Sequence, residues 1–228
     1  DILDFNMGCP APKVVKNGEG SALMREPKKA EEILTAIRRA TKLPFTVKMR
    51  LGWDDTSRNA VEIARMAEAV GVDAVAVHGR TREQFYSGNA DYAAIAEVKR
   101  AVNIPVIVSG DIRRPADLAR ALDITGADAV MIGRGAQGNP WIFPQLIHWL
   151  RTGEELPPPT LTERAQVILR HLDLLVGYKG EYIGIREMRK HAAWYTRGLK
   201  GSAELRERFN RAASKDEFVQ ILHEAWDI

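Results

Sequence analysis

Five short apolar runs punctuate the first two thirds of the chain, at 2–7, 45–49, 74–78, 106–109 and 129–132. Each is rich in Val and Ile, and Gly, Pro or Asp stand at its ends. Near-continuous apolar runs of this length fit strands of a parallel sheet buried on both faces better than half-exposed alternating strands. Between them lie amphipathic stretches with helical period at 28–41, 57–71, 91–102 and 115–125, closed by Gly71 or Gly126 or followed by Pro44 or Pro105. The phrases Gly71-Val-Asp-Ala-Val and Gly126-Ala-Asp-Ala-Val repeat one another, and each predicts a helix end, a short loop and a buried strand. The strand spacing of roughly 30 residues is that of a βαβ repeat.

Such a series suits either an open doubly wound sheet or a (β/α)8 barrel. Polar residues favour the barrel. Asn6 and Cys9 follow the first run, Lys48 and Arg50 end the second, and His78 and Arg80 end the third. Ser109-Gly110-Asp111 follows the fourth and Gly133-Arg134-Gly135 the fifth. Five consecutive strands aiming chemistry at one end fit a barrel mouth, whereas an open sheet concentrates its site at one switch point. A barrel needs eight strands, so the pattern predicts the last five βα units, with three units or about 90 residues preceding Asp1. The expected fold class is α/β, a partial TIM barrel over residues 1–155. The Pro-rich connector at 156–160 then leads to a small all-α domain over 156–228. Helical patterns at 162–177, 183–198, 202–212 and 214–226 fill that domain, broken by Gly180, Gly198 and Gly201, with Thr160 or Thr162 as first cap.

Composition narrows the classes. With 45% hydrophobic and 28% charged residues the chain can bury a core and is no disordered tail. No run of about 18 apolar residues occurs, so no membrane span is expected. A single cysteine excludes an intrachain disulfide framework and points to a reducing cytoplasm. The net charge of +3 names no polyanionic partner, but the segment 186–211 holds eight bases and three acids. A local surplus of that kind is a solvated helix face or a nucleic-acid surface.

The glycines after the last two strands let backbone N–H groups approach a phosphate, which Arg134 would pair. Alternatively they serve tight turns only. Lys48, between Val47 and Met49, points into the expected mouth, where it could hold an anion or polarise a ring carbonyl. Otherwise it snorkels. His78 heads a turn at a strand end and is either a site residue or a satisfied core imidazole. His148, His171, His191 and His223 have no ligand spacing, so no metal site is expected. A free cysteine is usually buried and inert, but Cys9 lies on a loop at the mouth. Free thiols ionise near about pH 8.5, so at neutral pH a thiol can deliver a proton.

Together these segments resemble the tRNA-dihydrouridine synthase family, nearest its bacterial B-type subgroup, over essentially the whole chain. The resemblance rests on Asp4-Phe5-Asn6-Met7-Gly8-Cys9-Pro10, Thr46-Val47-Lys48-Met49-Arg50, His78-Gly79-Arg80-Thr81, Ser109-Gly110-Asp111-Ile112 and Ile132-Gly133-Arg134-Gly135. Gly138-Asn139-Pro140-Trp141-Ile142-Phe143 and the tail phrase Met188-Arg189-Lys190-His191 with Trp194-Tyr195 complete it. The resemblance implies an FMN enzyme that reduces the C5=C6 bond of chosen uridines in tRNA, with NADPH or NADH as reductant. It assigns Cys9 as the catalytic acid, and Lys48, His78, Ser109, Gly110, Asp111, Gly133 and Arg134 to the cofactor. Asn6, Arg50 and Arg80 fall to the substrate base or ring. Arg189, Lys190 and Arg197 fall to the tRNA backbone, on a helical tRNA-binding domain in which Trp194 and Tyr195 are core. The base must be extruded into the mouth. The protein is expected to be a cytoplasmic monomer that contacts no membrane. Two other readings stay open: another FMN barrel acting on a small pyrimidine, and a non-catalytic fragment that keeps only RNA or partner binding.

Overall fold

The computed structural model describes residues 1–226 and divides into two compact units, Asp1–Gly133 and Arg134–Ile228. The division falls ahead of the Pro-rich connector, because the last strand ends unit one and the helix that follows it belongs to unit two.

In unit one, strand β1 (Leu3–Met7) leads into the short helix α1 (Pro12–Val15), a 3-10 segment at Gly20–Arg25 and helix α2 (Pro27–Ala40). The pairs β2 (Phe45–Arg50) with α3 (Ala60–Val70), β3 (Ala74–His78) with α4 (Tyr92–Ala101), and β4 (Val106–Ser109) with α5 (Pro115–Thr125) follow, and β5 (Ala129–Met131) closes the unit. The strands pair in chain order, all parallel. That order contains no reversal, so the doubly wound alternative does not apply.

Strict register sorts the side chains into two sets. Phe5, Val47, Val75 and Val106 are lateral neighbours on one face, and Val47, Val75 and Val106 are wholly buried. The other face carries Asn6, Lys48, Ala76 and Ile107 in one row, with Arg50, His78 and Ser109 in the next. Burial on both faces holds at the centre of the sheet, where Ala76, Arg50, His78 and Ser109 are buried, while Asp4 and Asn6 on the edge strand are exposed and Lys48 is half buried. The polar face follows from the alternation hidden inside runs such as Thr46-Val47-Lys48-Met49-Arg50.

The repeated Gly-x-Asp phrase has a mechanical meaning. Gly71 and Gly126 take left-handed conformations that end α3 and α5. Two residues later, Asp73 Oδ2 accepts from the Phe45 backbone N–H at 2.7 Å, and Asp128 Oδ2 accepts from that of Val106 at 2.8 Å. Each carboxylate thus caps the entrance of the preceding strand. Each also pairs with a cation from the opposite helix, Arg38 at 3.0 Å and Lys99 at 2.7 Å.

Unit two holds a 3-10 turn at Arg134–Ala136, then α6 (Ile142–Thr152), α7 (Leu161–Lys179), α8 (Glu181–Tyr195), α9 (Ser202–Arg211) and α10 (Lys215–Trp226). Of the two cap candidates the structure selects Thr160, in a reciprocal capping box with Glu163. Its core joins Leu172, Ile185, Met188, Phe209, Phe218 and Leu222, with Phe209 stacked on Phe218 at 4.5 Å.

The strand caps make a measurable claim. The Lys99 and Val106 hydrogen bonds hold the Asp128 carboxyl below the usual carboxylate range, so its contribution is present above about pH 4 and fades as acid protonates it. Asp128→Ala should lower unfolding free energy by about 1 kcal/mol at pH 7, with the gap closing as acid protonates the carboxyl. Coincident urea melts for variant and parent at pH 7 would remove the capping role.

Candidate active site

The loop that carries Cys9 is built by its neighbours. Asn6 Oδ1 accepts from the Gly8 N–H at 3.0 Å and the Cys9 N–H at 3.1 Å, folding the chain back as β1 ends. The Cys9 carbonyl accepts from Ser21 twice, from its backbone N–H at 3.0 Å and its hydroxyl at 2.9 Å. Cys9 itself is half buried, a free thiol beside a hollow of about 530 Å³ lined in part by Asn6, Val14, Asn17, Gly20 and Lys29.

Arg50 locks this loop to the next. It is almost wholly buried; its Nε donates to the Gly8 carbonyl at 3.0 Å, and one terminal nitrogen donates to those of Thr81 and Phe85, both at 2.8 Å. Arg80, equally buried, donates to the carbonyls of Ser87 at 2.8 Å and Gly88 at 2.6 Å, and to Asp111 Oδ2 at 2.7 Å. Both guanidiniums hold βα loops together, while Nη1 of Arg80 is buried without a hydrogen-bond partner among the described residues. Asp111 makes contacts of the same kind. Its carboxylate accepts from Arg80 and from the Ala90 N–H at 2.8 Å, steadying a left-handed backbone at φ 54°. A carboxylate repels a phosphate, so its part in any phosphate loop is to shape the turn.

Lys48 and His78 present the site's unusual electrostatics. Burial, and then the charge of Arg50, lower the Lys48 pKa against the opposing pull of Asp4. No acceptor contacts its ammonium among the described residues. Burial, followed by the charges of Arg50, Lys48 and Arg80, depresses His78 to about 3, so its imidazole is neutral at physiological pH. Its Nδ1 is buried without a partner, and Tyr86 stands edge-on at 6.5 Å. Tyr86, 5.7 Å from the Arg50 guanidinium, escaped notice in the sequence because nothing in a turn reports its proximity to a strand end.

The glycines separate. Gly110 has φ 124°, a Cβ there would lie 2.8 Å from the Ala90 methyl and 3.4 Å from the His78 ring, and its carbonyl accepts from the Tyr92 hydroxyl at 2.8 Å. Local geometry alone demands this glycine. At Gly133 a Cβ would meet nothing, and its φ is not in the left-handed region, so no tight turn explains it. Gly133 ends unit one and Arg134 opens the 3-10 turn of unit two. Asn6, Cys9, Arg50, Lys48, His78, Ser109 and Gly110 all belong to unit one, at the carboxyl ends of four adjacent strands.

In unit two, Arg189 donates to the Ala212 carbonyl at 2.7 Å and so ties α8 to the end of α9. Arg208 pairs with Glu224, and Arg211 with Glu207 at 2.5 Å. Arg186, Lys190, Arg197, Lys200 and Arg206 remain exposed, with Lys190 over the half-buried Trp194 ring at 5.2 Å. Tyr195 is core, as expected.

A parallel α/β unit that carries a thiol, a lysine and a neutral histidine at the carboxyl ends of adjacent strands has its candidate chemistry where parallel α/β enzymes carry theirs. The chain matches the family described as "Dihydrouridine synthase (Dus)" over residues 1–227. It is 49% identical over 224 residues to the "Probable tRNA-dihydrouridine synthase" of Rickettsia bellii, covering 96% of this chain and 69% of that one. It is 48% identical over 226 residues to "tRNA-dihydrouridine synthase B" of Xanthomonas axonopodis pv. citri, covering 99% and 68%. With the protein of the same name from Pseudomonas aeruginosa it shares 48% over 215 residues, covering 94% and 65%. The chain therefore belongs to the dihydrouridine synthase family, and spans about two thirds of the length of these relatives.

The His78 environment has a checkable consequence. Because folding depresses its pKa, the unfolded chain binds the extra proton between about pH 6.5 and about 3, and stability falls as pH drops through that window. NMR of the imidazole should show no titration of His78 down to about pH 4, while an exposed histidine titrates near 6.5. A His78 midpoint above 6 would refute the buried, cation-flanked setting.

Proposed function

We propose that this chain carries the catalytic machinery of a flavin-dependent tRNA-dihydrouridine synthase, which reduces the C5=C6 bond of uridines in tRNA. The observation that carries the reading is the thiol of Cys9, held by Asn6 and Ser21 on a shaped loop beside the polar face of the sheet. Its family membership and the relatives named above agree with it. The five strands correspond to the last five units of a (β/α)8 barrel. Their sequential parallel order supports this correspondence.

The residues present fit FMN. His78 offers a buried Nδ1 without a partner, Lys48 a half-buried ammonium without an acceptor, and Gly133 a glycine with no local steric reason. Lys48 and His78 would hold the ring, and Ser109, Gly110 and Gly133 the phosphate, with Asp111 fixing the turn. When bound, this cofactor supplies the hydride that reaches C6 of the uracil, with NADPH or NADH as the electron source.

The chain's own groups do the rest. Cys9 delivers a proton to C5, and solvent returns one to its sulfur. Lys48 places positive charge where the ring accumulates negative charge. The neutral His78 adds a polar contact without a second buried cation. The Asn6 side-chain amide, whose N–H donors have no acceptor among the described residues, is available to a uracil carbonyl. Arg50 acts as a positioning residue, since it fixes the Gly8 carbonyl next to the thiol-bearing residue. The target nucleotide leaves the tRNA stack to reach this site. Residues 156–228 form a helical tRNA-binding domain whose exposed Lys190, Arg197 and Arg206 meet the phosphate backbone.

Two experiments test this. In protein loaded with FMN, Cys9→Ala should preserve NADPH-driven flavin bleaching yet lower dihydrouridine formation by about 100-fold or more. Undiminished product would remove Cys9 as the acid, and protein that takes up no flavin would sink the whole reading. Reversing Lys190, Arg197 and Arg206 to Glu should weaken tRNA binding and flatten its salt dependence. Unchanged affinity would return that segment to a solvated face.

A further inference from the structure

Three consecutive βα loops of unit one bring Arg25, Trp53 and Arg82 together. Arg25 ends the 3-10 segment after β1, Trp53 follows β2, and Arg82 follows β3, so all three lie at the sheet end that carries Cys9 and His78. The Arg25 guanidinium lies over the Trp53 indole at 4.7 Å and that of Arg82 lies over the same ring at 4.6 Å. Stacking engages the face of a guanidinium and leaves its in-plane N–H donors directed outward. Neither guanidinium donates to a protein acceptor among the described residues, and the Arg82 Nε is buried without a partner. The acids of the neighbouring loop are already engaged. Asp54 accepts from Thr56 and Ser57, Asp55 pairs with Arg58 at 2.7 Å, and Asp91 pairs with Arg58 at 2.7 Å. A cleft of about 500 Å³, lined in part by Met24, Arg25, Trp53, Asp54, Arg58 and Asn59, opens beside the ring, with Asp54 turned to its own loop by the hydrogen bonds from Thr56 and Ser57.

Two like charges over one indole repel each other, and neither forms an ion pair with a carboxylate among the described residues. An arrangement of that kind is stabilised by an anion from outside, and planar guanidiniums with unused edges select the oxygens of a phosphate. We infer that Arg25, Trp53 and Arg82 form a phosphate-binding clamp on the rim of unit one, and that it grips the RNA backbone flanking the extruded uridine. A backbone whose base enters the mouth must pass over these same loops. This inference rests on the proposed tRNA substrate and adds to it a contact in the catalytic unit itself. The dinucleotide reductant also carries phosphates, so the test separates the two sources.

The experiment compares the protein with its Arg25→Gln/Arg82→Gln variant, and with Arg25→Lys/Arg82→Lys, which keeps charge but not the fork. Binding of tRNA is measured across a salt series, and the KM for NADPH in flavin bleaching is measured in parallel. The Gln variant should bind tRNA about tenfold or more weakly at moderate salt, with its log–log salt slope shallower by about 1.5, equivalent to two lost phosphate contacts. The NADPH KM and the melting temperature should not change, and the Lys variant should recover the salt slope but only part of the affinity. An unchanged slope in a folded Gln variant would overturn the clamp. A raised NADPH KM with an unchanged slope would also overturn it and give the phosphate to the reductant. If the parent protein bound no tRNA at all, the substrate assignment itself would fall, which is a different result from a parent that binds and a variant that binds equally well.

Discussion

The pleat of a parallel sheet in strict register is the constraint on which everything else in unit one depends. Adjacent strands place equivalent positions side by side, so one choice of phase in Thr46-Val47-Lys48-Met49-Arg50 fixes which side chains every neighbouring strand offers to each face. With Val47 turned toward the helices, Lys48 and Arg50 must share the opposite face with Asn6, His78 and Ser109. A slip by one residue would bury a lysine and an arginine among Val75, Val106 and the helices, at a penalty of several kcal/mol per charge. Apolar burial on one face therefore specifies the chemistry on the other. The Asp73 and Asp128 caps act on the same constraint from the far end, since each pins the first residue of a strand to the loop that enters its neighbour.

The site has two tiers of cations. Arg50 and Arg80 are buried and hold carbonyls or a carboxylate, so they assemble the loops. Lys48 and His78 are the groups those loops surround. Burial is the main cause that lowers both pKa values, and the charge of the first tier adds to it: Arg50 acts on both groups, and Lys48 and Arg80 also act on His78. A neutral imidazole beside a charged lysine is better suited to orienting a polar ring than a second cation would be. Substituting Arg50 would therefore move the loop and the electrostatics together, and its effect on rate would not report direct contact with substrate.

Much of this was legible in the sequence, and the reason is that strands and helix ends write their requirements locally. The strands fall where the apolar runs predict them, to within a residue or two, and Gly71, Gly126 and Thr160 mark helix ends by capping rules. Cys9 was visible because Gly and Pro flank a lone thiol just past a strand. Side chains with two possible destinations were not legible. A strand-end arginine reads the same whether it faces a ligand or backbone carbonyls, and only the path of the 81–88 loop decides it for Arg50 and Arg80. Pro144 sits in the first turn of α6, where no intrahelical N–H bond is lost.

The same ambiguity works in reverse at the rim. In the sequence Arg25, Trp53 and Arg82 lie far apart and each reads as an ordinary loop residue. Three strand ends bring them to one indole because parallel connection returns every βα loop to the same side. This also explains why a net charge of +3 says little about an RNA enzyme of this kind. Many acids in the chain are engaged locally, in strand caps, capping boxes and loop turns, and those pairs have no field beyond about a Debye length of 8–10 Å. What a polyanion meets is the cations with no local carboxylate partner, among them Arg25 and Arg82 in one unit and Lys190, Arg197 and Arg206 in the other. Affinity for RNA in such a protein is set by which charges are left over after folding, a quantity that composition cannot contain.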